Sequence, residues 1–91
     1  NLLLSLQNEL SGLEQDMDSA EHSIAINTQK VQLLESIMQA YENKYTAGVI
    51  TTTELLIQSN NLLSARLELQ SSKTQLSSLK ARKLLVLKGD L

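Results

Sequence analysis

Few side chains in this 91-residue chain could take part in chemistry, and none of them stands in a catalytic pattern. The single His22 has no Cys, second His or paired acid near it in the sequence, which favours a solvated histidine over a metal ligand. Asp16 and Asp18 are two residues apart, and side chains at that spacing on a helix do not face each other. The chain contains no Gly-rich phosphate loop and no nucleophile motif. We therefore expect no enzymatic activity, no metal site and no cofactor.

Residues that break or cap a helix are concentrated in the segment 45–54, Tyr-Thr-Ala-Gly-Val-Ile-Thr-Thr-Thr-Glu. Gly48 can adopt the left-handed conformation that closes a helix C-terminus. Thr51 and Glu54 have the spacing of a capping box, in which a hydroxyl and a carboxylate satisfy free N–H groups at a helix start. The segment therefore predicts that one helix ends and another begins here, with the tip of a hairpin at Gly48.

The composition is typical of long packed helices. The chain is 42% hydrophobic but has only two aromatic residues, both Tyr, and its length allows one domain at most. Without Cys it can form no disulfide, and its net charge of −2 argues against electrostatic binding of nucleic acid. No apolar run approaches the ~18–20 residues of a membrane span. Because the chain begins at Asn1, we expect it to be a fragment of a larger protein.

Apolar residues recur alternately every three and four positions on both sides of the turn, which is a heptad repeat. We call these positions the seam. In the first arm they are Leu3, Leu6, Leu10, Leu13, Met17, Ala20, Ile24, Asn27, Val31, Leu34, Met38, Tyr41 and Tyr45. In the second arm they are Leu55, Gln58, Leu62, Ala65, Leu69, Ser72, Leu76, Leu79, Lys83 and Val86. The pattern predicts one domain over 1–91, with helices at about 2–45 and 52–88 and a turn at 46–51.

The two seams match when the chain is folded at Gly48, so that the numbers of facing residues add to 96. The predicted pairs include Val31–Ala65 and Leu34–Leu62. The first 44 residues hold seven acids and two bases, whereas the rest hold three acids and six bases. This register brings one cluster of opposite charges together: Glu14, Asp16 and Asp18 with Lys80, Arg82 and Lys83. The predicted fold is all-α, a long antiparallel coiled-coil hairpin. Asn27, a polar seam residue, could set the register or lie at the edge of the seam.

Further apolar residues lie outside the seam, and a two-helix hairpin cannot cover them. They are Ile26, Leu33 and Ile37 in the first arm and Leu56, Leu63, Leu67 and Leu84 in the second. Burying a large apolar side chain is worth about 1.5–3 kcal/mol, although scattered surface leucines are normal. Their heptad spacing predicts lateral packing into a bundle or an α-barrel. We expect the isolated chain to self-associate, most simply as two hairpins in a four-helix bundle.

The tip and second arm resemble the TolC-like outer-membrane efflux proteins. The similarity rests on Tyr45-x-x-Gly48-x-x-Thr51-x-x-Glu54-Leu55-Leu56, followed by Asn60 to Leu63, Ala65-Arg66, Leu69 and the closing stretch Leu84 to Leu91. It covers about residues 41–91, while the first arm matches only as a long helix.

This resemblance implies a non-enzymatic transport conduit: a trimer whose helical hairpins form an α-barrel in the periplasm beneath an outer-membrane barrel. The turn would lie at the periplasmic end, where the pore narrows and meets the adaptor protein of an inner-membrane pump. Tyr45 matches a gate tyrosine and Glu54 a pore-facing acid. Studied members have an Arg at the position of Ile50 and a second acid at that of Ile57, so their polar gate cannot be transferred.

Two other functions fit parts of the sequence. The coiled-coil hairpin of a periplasmic adaptor protein has a similar shape, but the Arg-Leu-Ser type of tip common in that family is absent from 44–55. A generic coiled-coil scaffold would explain the heptads but gives no reason for the pattern of Tyr45, Gly48 and Thr51.

The tip residues have two interpretations each. Tyr45 could close the seam, act in a gate, or do both, and the capping role of Glu54 is favoured over a role as a pore acid. Val49 and Ile50 could be an exposed apolar contact for the adaptor, or could merely cover the ends of the seam. The candidate docking and constriction residues are Tyr45, Gly48, Val49, Ile50, Thr51 and Glu54.

Overall fold

The computed structural model, which describes residues 1–89, is an antiparallel helical hairpin. Helix α1 spans Leu2–Thr46 and helix α2 spans Thr52–Lys88. The hairpin is 69 Å long and 17 Å wide, and α1 runs without a break through Gly12. The prediction of an all-α hairpin is confirmed. Asp90 and Leu91, where the predicted domain and the resemblance to the efflux proteins end, lie outside the described residues.

The core of the hairpin is the seam that the heptad repeat predicts. Within residues 1–89, every buried residue is a seam position: Leu13, Ala20 and Val31 in α1, and Leu62, Ala65, Ser72 and Val86 in α2. Near the middle, Val31, Leu62 and Ala65 form one cluster, against which Leu34, Met38 and Leu69 pack. This cluster contains both members of the predicted pairs Val31–Ala65 and Leu34–Leu62, so the register inferred from Gly48 holds there.

Three α1 positions assigned to the seam are exposed: Leu3 (63%), Leu6 (37%) and Tyr45 (42%). The prediction was wrong for the two leucines because α1 has 45 residues and α2 only 37. Since α2 ends at Lys88, the first turns of α1 have no described helix opposite them. Tyr45 lies at the other end, where α1 gives way to the turn.

Ion pairs line the edges of the seam, but the predicted charge cluster forms only in part. The pairs are Lys30–Glu68 (3.2 Å), Glu35–Arg66 (3.5 Å) and Glu14–Lys83 (3.5 Å). Within residues 1–89, Asp16 and Asp18 make no ion pair with Lys80 or Arg82, contrary to expectation. By its heptad position Asp18 points away from α2, and Asp16 lies on the opposite edge of the seam from Lys80. Such exposed pairs each contribute little to the free energy of folding. Their main effect is to favour the observed register of the two helices.

A polar cluster interrupts the apolar seam where Asn27 approaches α2. The Ser72 hydroxyl donates to the carbonyl oxygen of Glu68 at 3.1 Å, which uses its only proton. It therefore accepts from the Ser23 hydroxyl at 3.0 Å and from the Asn27 amide at 3.0 Å. One donor and two acceptor sites are thus all occupied, and no buried side-chain polar atom of the described chain lacks a partner. Asn27 therefore bonds across the seam, although its side chain is only partly buried.

Candidate functional site

The end of α1 is a Schellman motif, which sets the shape of the tip. Ala47 is the last residue with helical dihedrals, and Gly48 follows with φ of +75°. The Gly48 N–H donates to the Tyr45 carbonyl at 3.0 Å, and the Val49 N–H donates to the Lys44 carbonyl at 2.9 Å. A Cβ at position 48 would meet no atom within 4 Å. Glycine is therefore favoured by its backbone conformation and not by lack of space.

The start of α2 is the capping box that the sequence predicts. The Thr51 hydroxyl accepts from the Glu54 N–H at 3.2 Å, and the Glu54 carboxylate accepts from the Thr51 N–H at 3.4 Å. Thr51 has an extended backbone, with φ of −86° and ψ of 161°, as an N-cap requires. Glu54 therefore fixes the start of α2, and its exposed carboxylate also balances the positive end of the helix dipole.

Tyr45 connects the two helices at the tip. Its hydroxyl lies 3.1 Å from the Thr52 hydroxyl, a hydrogen bond that spans the turn from the end of α1 to the start of α2. Since the residue is 42% exposed, Tyr45 closes the seam without being buried in it. This arrangement supports the seam role of Tyr45, while a role in a gate stays a prediction.

Val49 and Ile50 differ in their surroundings. Val49 is 71% exposed and projects from the end of the rod. Ile50 is half-buried and lines a recess of about 360 Å³ together with Tyr41, Lys44, Glu54, Ile57 and Gln58. Covering the end of the seam therefore explains part of the burial of Ile50. It does not explain the position of Val49, which stays exposed.

The recess contains residues that we did not single out from the sequence as site candidates. Lys44 places its ammonium 5.3 Å from the centre of the Tyr41 ring, and this spacing of three residues on a helix would have indicated the contact. Ile57 is 52% exposed and stands seven residues after Ile50. The recess is thus lined by two isoleucines, a tyrosine, a glutamine and one charged residue of each sign.

The tip presents exposed apolar side chains and one charged side chain of each sign. Among the described residues, no group of three or more His, Cys, Asp and Glu side chains is placed to hold a metal ion. His22 is exposed on the outer face of α1. In the same part of the chain, neither helix is apolar enough over a sufficient length to cross a membrane. Comparisons with family models, curated proteins and solved structures returned no match to this chain.

Proposed function

We propose that this hairpin is a wall segment of the periplasmic α-helical conduit of an outer-membrane export channel. In this proposal the tip docks a periplasmic adaptor protein, which joins the channel to an inner-membrane pump, and the conduit is a trimer. The arms are passive wall, and no step requires an enzyme, a cofactor or nucleic acid.

The observation that carries the proposal is the chemistry of the outward faces. In α2, the three heptad rows that point away from the seam contain no charged residue from Leu56 to Leu85, although they are exposed. In α1, the corresponding rows contain one charged residue, Asp18, between Leu4 and Thr46. A hairpin with water on all sides normally has charges on these rows. Helices that stand between lateral neighbours do not need them.

The structure of the tip supports the proposed docking of an adaptor protein. Val49 and Ile57 are exposed apolar residues near the end of a hairpin 69 Å long, and Ile57 lines the recess together with Ile50. Loops held by rigid scaffolds are common recognition sites. Ile50 and Ile57 stand at positions where studied TolC-like efflux proteins have charged residues. We therefore infer that contact at this tip is mainly apolar.

The proposal is tested in the organism that makes the protein, with the native protein at its full length. Cells lacking the gene should accumulate a fluorescent dye that such pumps export, and the wild-type gene should restore export. Val49→Asp combined with Ile50→Asp should fail to restore export, although the protein is still produced, folded and trimeric. The matched control is Gln29→Asp with Ser36→Asp on the exposed outer row of α1, which should export normally.

Fractionation of the same cells separates the rival functions. The proposal requires the protein to fractionate with the outer membrane. Fractionation with the inner membrane would favour the adaptor hairpin, and recovery from the cytoplasm would favour a scaffold. Normal export by the Val49→Asp, Ile50→Asp variant would refute docking at the tip.

A further inference from the structure

The heptad repeat alone would permit a second register of the two helices. In the structure the numbers of facing seam residues add to 96, whereas a slip of one heptad gives facing pairs that add to 89. We call this the slipped register. It contains six pairs in which both residues are apolar, as many as the observed register contains. The six pairs are Leu34–Leu55, Ile24–Ala65, Ala20–Leu69, Leu13–Leu76, Leu10–Leu79 and Leu3–Val86.

The slipped register would also cover apolar residues that the observed register leaves exposed. Leu3 and Leu6, which are 63% and 37% exposed, would gain facing residues on α2, while Met38 and Tyr41 would lose theirs. A slip in the opposite direction is less favourable, because even Leu13 would then have no facing residue within the described chain. Burial of apolar residues along the seam therefore does not explain why the observed register is preferred to the slipped one.

We propose that the polar cluster of Ser23, Asn27 and Ser72 is a register lock, which holds α1 and α2 in the observed register and excludes the slipped one. The lock is a property of the fold, and it does not depend on the proposed function. Asn27 lies 21 residues before Gly48, which is roughly 30 Å along α1. The cluster can therefore keep the arms in register when contacts at the distant tip change.

The hydrogen bonds across the seam can form only in the observed register. Ser72 is 8% exposed and accepts from the Ser23 hydroxyl and the Asn27 amide, both at 3.0 Å. A slip of one heptad moves Ser72 about 10 Å along the axis and brings Ala65 to its place beside Ser23 and Asn27. The methyl group of Ala65 cannot accept a hydrogen bond, and Asn27 would face Leu62. A partly buried amide would thus lose its acceptor, which is unfavourable.

The ion pairs of the hairpin distinguish the two registers less strongly than the cluster does. A slip would separate the members of all three pairs, but every side chain in them except that of Lys83 is at least half exposed. Exposed pairs are worth little, and other charges along the edges of the helices could replace them. The cluster has no such substitute, because Asn27 is the one polar residue among the seam positions of α1.

Two disulfides that share position 65 report the two registers, since the natural chain has no Cys. Val31→Cys with Ala65→Cys joins positions that face each other in the observed register, and Ile24→Cys with Ala65→Cys joins positions that face each other only after the slip. In the observed register the second pair is about 10 Å apart along the axis, which a disulfide cannot span. The 91-residue chain is equilibrated with reduced and oxidised glutathione at low concentration, and mass spectrometry measures the intramolecular disulfide. The equilibrium constant for 24–65 divided by that for 31–65 is the slip ratio.

The cluster is then replaced by apolar residues through Asn27→Leu combined with Ser72→Ala. The slip ratio should rise about tenfold or more, because the hydrogen bonds that favour the observed register are lost. The introduced leucine favours neither register, since it faces Leu69 in one and Leu62 in the other. The matched control is Gln58→Leu, which replaces a polar seam residue outside the cluster and should leave the slip ratio unchanged.

The measurement is made with the natural turn and again with Gly-Ser-Gly-Ser inserted after Gly48. The insertion releases the constraint of the turn on the register, and lengthening an exposed loop costs little. The change caused by replacing the cluster should be the same in both chains, and circular dichroism checks that the helices are retained. A slip ratio that the double variant leaves unchanged would overturn the lock. Equal formation of the two disulfides in the lengthened chain with its cluster intact would overturn it as well.

Discussion

At the scale of single residues, two glycines that look alike in the sequence have opposite effects on stability. Gly48 has φ of +75°, a conformation that costs an L-residue about 1–2 kcal/mol. Gly12 lies inside α1 with helical dihedrals, where glycine is about 1 kcal/mol less favourable than alanine. At neither site would a Cβ meet an atom of this chain within 4 Å.

We therefore expect Gly48→Ala to lower the free energy of unfolding by about 1 kcal/mol or more, and Gly12→Ala to raise it by up to about 1 kcal/mol. Each variant is the control for the other, since both add one methyl group to an open site. Urea unfolding followed by circular dichroism, at a concentration where the chain is monomeric, measures both. Effects of the same sign would contradict the assigned conformations.

The hydroxyl of Thr51 provides a second residue-scale prediction. Thr51→Ala removes the acceptor for the Glu54 N–H and should cost about 1 kcal/mol of stability. Thr53→Ala, two residues later on an exposed helical position, should be neutral or slightly stabilising because Ala favours helix. If the two variants unfold at the same urea concentration, the capping box does not contribute as described.

At the scale of the elements, the seam shows what heptad spacing can and cannot predict. The spacing located α1, α2 and their register because these depend only on local periodicity and on Gly48, the glycine at which α1 ends. The spacing alone placed Leu3 and Leu6 in the seam, although the predicted end of α2 near residue 88 already leaves no residue to face them. The spacing also did not assign Ser23 to the polar cluster, because Ser23 lies just beside the seam and joins through the Ser72 hydroxyl at 3.0 Å and the Asn27 amide at 3.4 Å.

The polar cluster gives the element-scale prediction. Ser72→Ala removes the partner of both Ser23 and Asn27 and should cost about 1–3 kcal/mol, because the Asn27 amide is left without its cross-seam acceptor. Combining it with Asn27→Leu replaces the unpaired amide by an apolar side chain, leaves the partly buried Ser23 hydroxyl as the one polar group of the cluster, and should recover most of the lost stability. A double variant no more stable than Ser72→Ala would show that the cluster is not coupled across the seam. Thermal unfolding of the wild type and of the two variants decides.

At the scale of the whole molecule, the sequence predicts the long helices in more detail than it predicts the tip. The long helices were predictable because the same seam contacts repeat every seven residues. At the tip, the sequence indicated the Schellman glycine and the capping box but not the recess beside them. The recess depends on how Tyr41, Lys44 and Ile57 converge after the turn has brought the helices together. Its mixed lining, with two isoleucines and one charge of each sign, is why docking at the tip is the central claim.

The most direct measurement of that claim is cross-linking in living cells from a photoreactive amino acid at position 49 of the native protein. Val49 is 71% exposed at the end of the rod, and position 29, exposed on the outer row of α1, is the control. We predict a cross-link from position 49 to a periplasmic adaptor protein, and no such product from position 29. Failure of position 49 to cross-link to that class of protein, in cells where export is active, would contradict the proposed function.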